Sequence, residues 1–178
     1  RESQELQEWD CRLRSWDEAQ PRDVLDIPLL RAQPAGCQQE NWVIATNHRW
    51  KKVGRVSWEA LKALADPVDM LWVNGHSTAV GQNDKIPVAT AATLGSSLRL
   101  IHVPRLALRV SSPGKAFGDS RRRVQADFNH AGSRYKLWVT DPIYEQAYLA
   151  KANGQYLVRD AYLTVSIGEP YTDGCRYK

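Results

Sequence analysis

The sequence predicts a β-rich α+β chain, a small barrel or sandwich with short helices attached, and three of its features predict this. Short apolar runs separated by turn residues recur along all 178 residues. After residue 97 apolar and polar side chains alternate at period two. Two stretches instead carry helix caps: Ser57 stands ahead of WEALKALAD, and Asp141-Pro142 ahead of IYEQAYLA.

Taken in order, the first element is helical. Leu6, Trp9, Leu13 and Trp16 repeat at three- and four-residue spacing behind Ser3, so residues 1–23 read as an N-terminal helical segment closed by Pro21. VLDIPLL (24–30) reads as a short strand at an edge or bend, because Pro28 has no amide hydrogen to donate. NWVIA (41–45) and the region around Val53 read as strands. Trp58, Leu61, Leu64 and Ala65 then make the apolar face of a helix that Pro67 ends. MLWV (70–73) reads as a strand broken by Asn74-Gly75, and ATAATLG (89–95) as a short helix stopped by Gly95.

In SLRLIHV (97–103) and RLALRVS (105–111), Leu98, Leu100, Leu106, Leu108 and Val110 fall on one side and Arg99, Arg105 and Arg109 on the other. Pro104 interrupts them. RRVQADF (122–128) and RYKLWVT (134–140) form a hairpin around Asn129–Ser133, with Val124, Ala126, Phe128, Tyr135, Leu137 and Val139 toward one face. A helix follows from Asp141. AYLTVSIG (161–168) is the last strand, and Glu169-Pro170 ends it.

An apolar share of 43% and a charged share of 25% are those of an ordinary globular protein, large enough to bury a core without a metal or disulfide staple. The apolar runs fall short of the ~20 residues a membrane helix needs, and no charged start followed by an apolar run marks a secretory signal. Cys11, Cys37 and Cys175 are odd in number and lack Cys-x-x-Cys spacing, so the expected compartment is a reducing one, the cytoplasm, with no membrane contact. The net charge of +4 hides an uneven distribution, because the first forty residues are acidic on balance and the remainder basic. The densest basic stretch, 99–136, holds only Asp119 and Asp127 as acids, which raises local affinity for anions.

With Val124, Ala126 and Phe128 inward, the other hairpin face carries Arg121, Arg123, Gln125 and Asp127 beside Arg134, Lys136 and Trp138, joined by Arg105 and Arg109. An indole among guanidinium groups can stack a base while the cations hold phosphates. The plain alternative is the polar outer face that any antiparallel sheet shows. A second basic-aromatic stretch, His48-Arg49-Trp50-Lys51-Lys52 with Arg55, has the same composition, its plain alternative being a solvated loop. An enzyme or small-ligand site would have to use Asn74, His76, Ser77 and Asp84, residue types from which a nucleophile and base are built. No nucleophile-elbow motif accompanies them, and an Asn-Gly turn with polar flanks is usually a turn.

The four histidines, 48, 76, 102 and 130, sit at no ligand spacing with each other or with the cysteines, so no metal is expected. His102 falls on the apolar parity of its strand and reads as a core residue. Gly114 and Gly118 lack the remaining residues of a phosphate-binding loop, so no nucleotide cofactor is expected.

VGRVSWEAL (53–61), LWVNGHS (71–77), NDKIP (83–87), GSSLRLI (95–101), FGDSRRRVQADF (117–128), YKLWVTDPIYEQAYL (135–149) and LTVSIGEPYTDGCRYK (163–178) together resemble the bacterial dual OB-containing domain. The resemblance runs from about residue 24 onward. It implies two packed OB-like barrels, 24–95 and 96–178, the first incomplete because family members carry further strand-like sequence upstream. It makes nucleic acid the leading ligand by fold analogy and brings no catalytic residues. The expectation is a non-catalytic nucleic-acid-binding module for single-stranded or structured DNA or RNA. Its rivals are an enzyme or nucleotide-binding protein using the 74–84 loop, and a protein-interaction module of a larger bacterial system.

Overall fold

Alternation of branched and polar residues builds most of the strands, which the computed structural model describes for Leu13, residues 17–45 and residues 48–178. The chain divides into two compact units, Arg1–Leu64 and Ala65–Lys178. No helix among the described residues is long and apolar enough to cross a membrane.

In the N-terminal unit Pro28 splits the VLDIPLL run into β1 (Asp23–Asp26) and β2 (Leu29–Ala32). β2 pairs antiparallel with β3 (Trp42–Ile44), and β1 pairs antiparallel with β4 (Lys51–Arg55) across a bulge at Val24/Leu25. α1 (Trp58–Leu64) starts where the Ser57 hydroxyl accepts the Ala60 amide at 3.1 Å. Its expected apolar face is not buried: Trp58 is 56% exposed and lies under the Arg22 guanidinium at 4.2 Å. Leu13, Cys37 and Trp50 are the buried apolar residues of this unit among those described. Leu6, Trp9 and Trp16, on which the N-terminal helix was expected, lie outside the described residues.

The C-terminal unit contains β5 (Lys85–Pro87), α2 (Val88–Ala91), β6 (Leu98–Ser111), β7 (Arg123–His130), β8 (Ser133–Trp138), α3 (Pro142–Leu149), β9 (Gly154–Ser166) and β10 (Cys175–Tyr177). Four strands form one antiparallel sheet in the order β8-β7-β6-β9, while β5 and β10 pair separately. The expected β-rich class with short helices is what the chain shows, but the sheets are not closed into barrels. The reason is local. β10 spends its pairing on β5, and the outer edge of β8 is taken at Lys136 by a bridge from Gln82.

Three further expectations are corrected. The segments on either side of Pro104 are one 14-residue strand, and burial changes parity along it, from Ile101 and Val103 to Leu106, Leu108 and Val110. Pro104 lies opposite the neighbourhood of Asp160, whose φ of 52° kinks β9, so both strands turn their apolar side together. Hence Leu98 is exposed. His102 points away from the core, 3.6 Å from Asp160, its ring tilted at 40° against that of Tyr162. MLWV is no strand: Leu71 and Trp72 sit in tight bends, Trp72 at φ 61°, with Leu71 fully buried. β9 starts at Gly154, well before residue 161.

The core is the inward side of this sheet. Val124, Ala126, Phe128, Tyr135 and Leu137 pack with Leu106, Leu108 and Val110, under Leu71, Val68 and Trp72 of the preceding loop and Tyr148 and Leu149 of α3. Asp141 caps α3 by accepting the Tyr144 amide at 2.9 Å, with Pro142 in the first turn. The Tyr135 hydroxyl, fully buried, accepts the Leu71 amide at 3.1 Å. Replacing Tyr135 by Phe strands that buried N–H, so chemical denaturation of the variant should show a loss of about 1–3 kcal/mol.

The β5–β10 pair is tied by Asp173, whose carboxylate takes the Lys85 ammonium at 2.6 Å and the Tyr177 hydroxyl at 2.7 Å. The Lys85 bond, then that of Tyr177, lowers the Asp173 pKa from 3.8 to about 2. A carboxyl with a depressed folded pKa stabilises above its unfolded value and loses that contribution as pH falls. Thermal melting of wild type and Asp173→Asn should therefore differ at pH 5 and converge between about pH 4 and pH 2. A difference that persists at the acid end would contradict the assignment.

Candidate functional site

Because side chains alternate along strands and cross-strand partners point the same way, the register of the four-stranded sheet fixes which residues share its outward side. Three rows result. Gln155, Arg109, Gln125 and Trp138 form one; Leu157, Ala107, Asp127 and Lys136 the next; Arg159, Arg105, Asn129 and Arg134 the third. Arg123 lies beyond the first row, its guanidinium 5.3 Å from the Trp138 ring centroid.

One carboxylate organises these cations. Asp127 accepts Arg134 Nε at 2.8 Å and Nη2 at 2.7 Å, a bidentate fork, and Arg109 Nε stands 3.8 Å away. The Arg134 bonds hold the Asp127 carboxyl below its ordinary range, outweighing the desolvation that would raise it. Arg109 also donates to Gln155 Oε1 at 3.3 Å. In the third row Arg105 and Arg159 are direct cross-strand partners, both exposed. Like charges at such a position cost stability, and an anion lying across them would relieve it.

The residues singled out in the sequence fare differently. Arg105, Arg109, Arg123, Arg134, Lys136 and Trp138 come together on this one side, Lys136 and Trp138 half-buried. Arg121 is exposed in the loop between β6 and β7, its amide held by Asp119. Its neighbour Arg122 is structural, giving its guanidinium to Asn153 Oδ1 and the Leu149 and Lys151 carbonyls at the end of α3. Arg49, Trp50, Lys51 and Lys52 belong to the other unit. There Trp50 is a core residue, 8% exposed, so its ring offers no stacking face, and Lys52 pairs with Asp23 at 2.7 Å.

Sequence reading missed four outward residues. Gln155, Leu157 and Arg159 come from the part of β9 before residue 161, where Tyr156 and Val158 alternate with them, a signal present in QYLVRD. Leu157 is 66% exposed. Phe117, 91% exposed, ends the 3₁₀ turn Lys115–Phe117 at the tip of the β6–β7 loop, which Gly118 closes at φ 84°.

The 74–84 loop proves to be self-bonded. Asp84 is 1% exposed, and its two oxygens accept the Thr78 amide at 2.8 Å and hydroxyl at 2.6 Å. Asn74 donates to the Ser133 hydroxyl, Ser77 accepts the Asn83 amide, and His76 is exposed, its carbonyl taking the Lys85 amide. Asn83 and Gln82 then fasten the loop to β8 through Arg134 and Lys136 backbone groups. Its polar residues thus serve to cover a sheet edge. Among the described residues no group of three His, Cys, Asp or Glu is placed to hold a metal ion.

Gly81 shows how tight this loop is, since a Cβ there would lie 1.7 Å from Asp84 Oδ2 and 2.7 Å from Thr78 Oγ1. Gly81→Ala should lower stability by about 1–3 kcal/mol, as overpacking does. Faster amide exchange at residues 134–136, where the loop covers β8, should accompany it.

None of the curated proteins and none of the solved structures matches the chain at a significant level. The family model of the dual OB-containing domain matches it over residues 1–178, its whole length, and the protein belongs to that family.

Proposed function

We propose that the protein is a non-catalytic nucleic-acid-binding module of the bacterial cytoplasm that holds single-stranded or structured DNA or RNA on the outward side of the β8-β7-β6-β9 sheet. The observation that carries this reading is the gathering of Arg105, Arg109, Arg123, Arg134, Lys136 and Arg159 on that one side, with Asp127 held by Arg134 and Arg109 and with Trp138 among them. Cations in that number favour a polyanion through counterion release, and a partly open indole suits a base.

Membership of an OB-containing family supports the same side of the sheet. OB folds bind oligonucleotides on the face of their second and third strands and through the loop joining the first and second. In the order β6, β7, β8, β9, those elements are the β7–β8 hairpin and the loop carrying Lys115, Phe117 and Arg121. The free thiols of Cys37 and Cys175 suit a reducing compartment.

Fluorescence titration of labelled single strands at two salt concentrations tests the proposal. Affinity should fall as salt rises, and Arg105→Ala should weaken binding to all sequences while lowering the log–log salt slope by about 1. Absence of binding, or binding indifferent to salt, would overturn it.

A further inference from the structure

The outward side of the sheet is not flat. Ala107 is the smallest of the twelve residues in its three rows and stands at an inner position, ringed by longer side chains. Over it lies an open groove of about 390 Å³. Leu157 and Asp127 flank it within its own row. Arg109 and Gln155 border it on one side, and Arg105 and Asn129 on the other, with Arg134 behind Asp127.

Resting on the function proposed above, we propose that this groove is a subsite for one unpaired nucleobase, so that the protein selects single strands over duplex. Three observations carry it. Leu157, 66% exposed, offers an apolar flank against which a planar ring can lie. Gln155 and Asn129 bring amides, which donate and accept, to the edge of the groove, and Asp127 adds a carboxylate that accepts only. Arg109 fixes Gln155 through Oε1, and Arg134 fixes Asp127 through both oxygens, so the polar rim is oriented before any ligand arrives.

Charge decides which part of a nucleotide enters. Asp127 neutralises the side of the groove nearest Arg134 and repels a phosphate there, whereas among the described residues no carboxylate pairs with Arg105 or Arg159 one row away. The phosphate therefore lies at the Arg105–Arg159 end of the third row and the base turns toward Ala107. A duplex cannot present a base in this way, because its rings are stacked and their pairing edges occupied.

The test compares short single strands with sugar–phosphate strands of the same length that lack every base. Wild-type protein should bind the base-bearing strand about 5- to 150-fold more tightly, the range for one stacked base, with the same salt slope for both. Ala107→Leu fills the groove and should cut that preference to the share Trp138 supplies, while keeping the slope. The double variant Gln155→Ala, Asn129→Ala changes only rim side chains, and should flatten the ranking of the four homopolymers. Equal wild-type affinity for strands with and without bases overturns the subsite and the stacking at Trp138 but leaves phosphate binding on this surface intact. Failure to bind either strand overturns both readings, and full retention of base preference in both variants overturns the subsite alone.

Discussion

The double pairing of β6 is the constraint from which the rest of the C-terminal unit follows. It pairs with β9 from Leu98↔Ser166 to Val110↔Gly154 and with β7 from Leu106↔Phe128 to Ser111↔Arg123, so both its edges are used over residues 106–110. Since side chains alternate strictly, that register sends Leu106, Leu108 and Val110 inward and Arg105, Ala107 and Arg109 outward, and a slip of one residue would exchange the two sets. The cost of exposing the apolar set holds the cationic set in place. The kink at Pro104 and Asp160 matters for the same reason, because it lets residues of opposite parity on one long strand, Ile101 and Val103 before it and Leu106, Leu108 and Val110 after it, enter one core.

Several residues with chemically suggestive side chains turn out to maintain this arrangement. Asp84 is buried to order a loop, and that loop covers the β8 edge through Gln82 and Asn83. Arg122 satisfies carbonyls at the end of α3. Both uses obey one rule: a polar group removed from water must find partners, and the segments nearest a sheet edge or helix end have unpaired backbone groups to offer. Gln125 obeys it too, buried in the first outward row with its amide on the Val80 carbonyl, and the rest of the outward side is left to its charges. There Arg105 faces Arg159, and among the described residues the cations outnumber the carboxylate of Asp127 that pairs with them.

Much of this surface was legible in the residues themselves. The hairpin 122–140 alternates so regularly that its inward set, Val124 to Leu137, and its outward set, Arg123 to Trp138, follow from period two alone. The cap at Asp141-Pro142 was equally plain. Trp50 was not, because a Trp between Arg49 and Lys51 has the same local composition whether its ring is buried or open. MLWV has strand-like composition, yet Leu71 is buried in a bend whose amide is satisfied by the Tyr135 hydroxyl, 64 residues away.

By itself, then, the sequence determined the class of the chain, the hairpin and its two faces, the capped helix, and the basic character of residues 99–136. Those properties depend on neighbours a few positions apart, where rotamer, turn and alternation preferences act. Only the tertiary structure decided that β9 joins β6 and adds Gln155, Leu157 and Arg159 to the basic side, that Ala107 becomes the floor of a groove, that the sheets stay open, and that Asp84 is a tie. Each of these is a pairing or burial between residues distant in the chain. Its sign is set by which backbone edges and apolar surfaces remain unsatisfied once the nearer elements have formed.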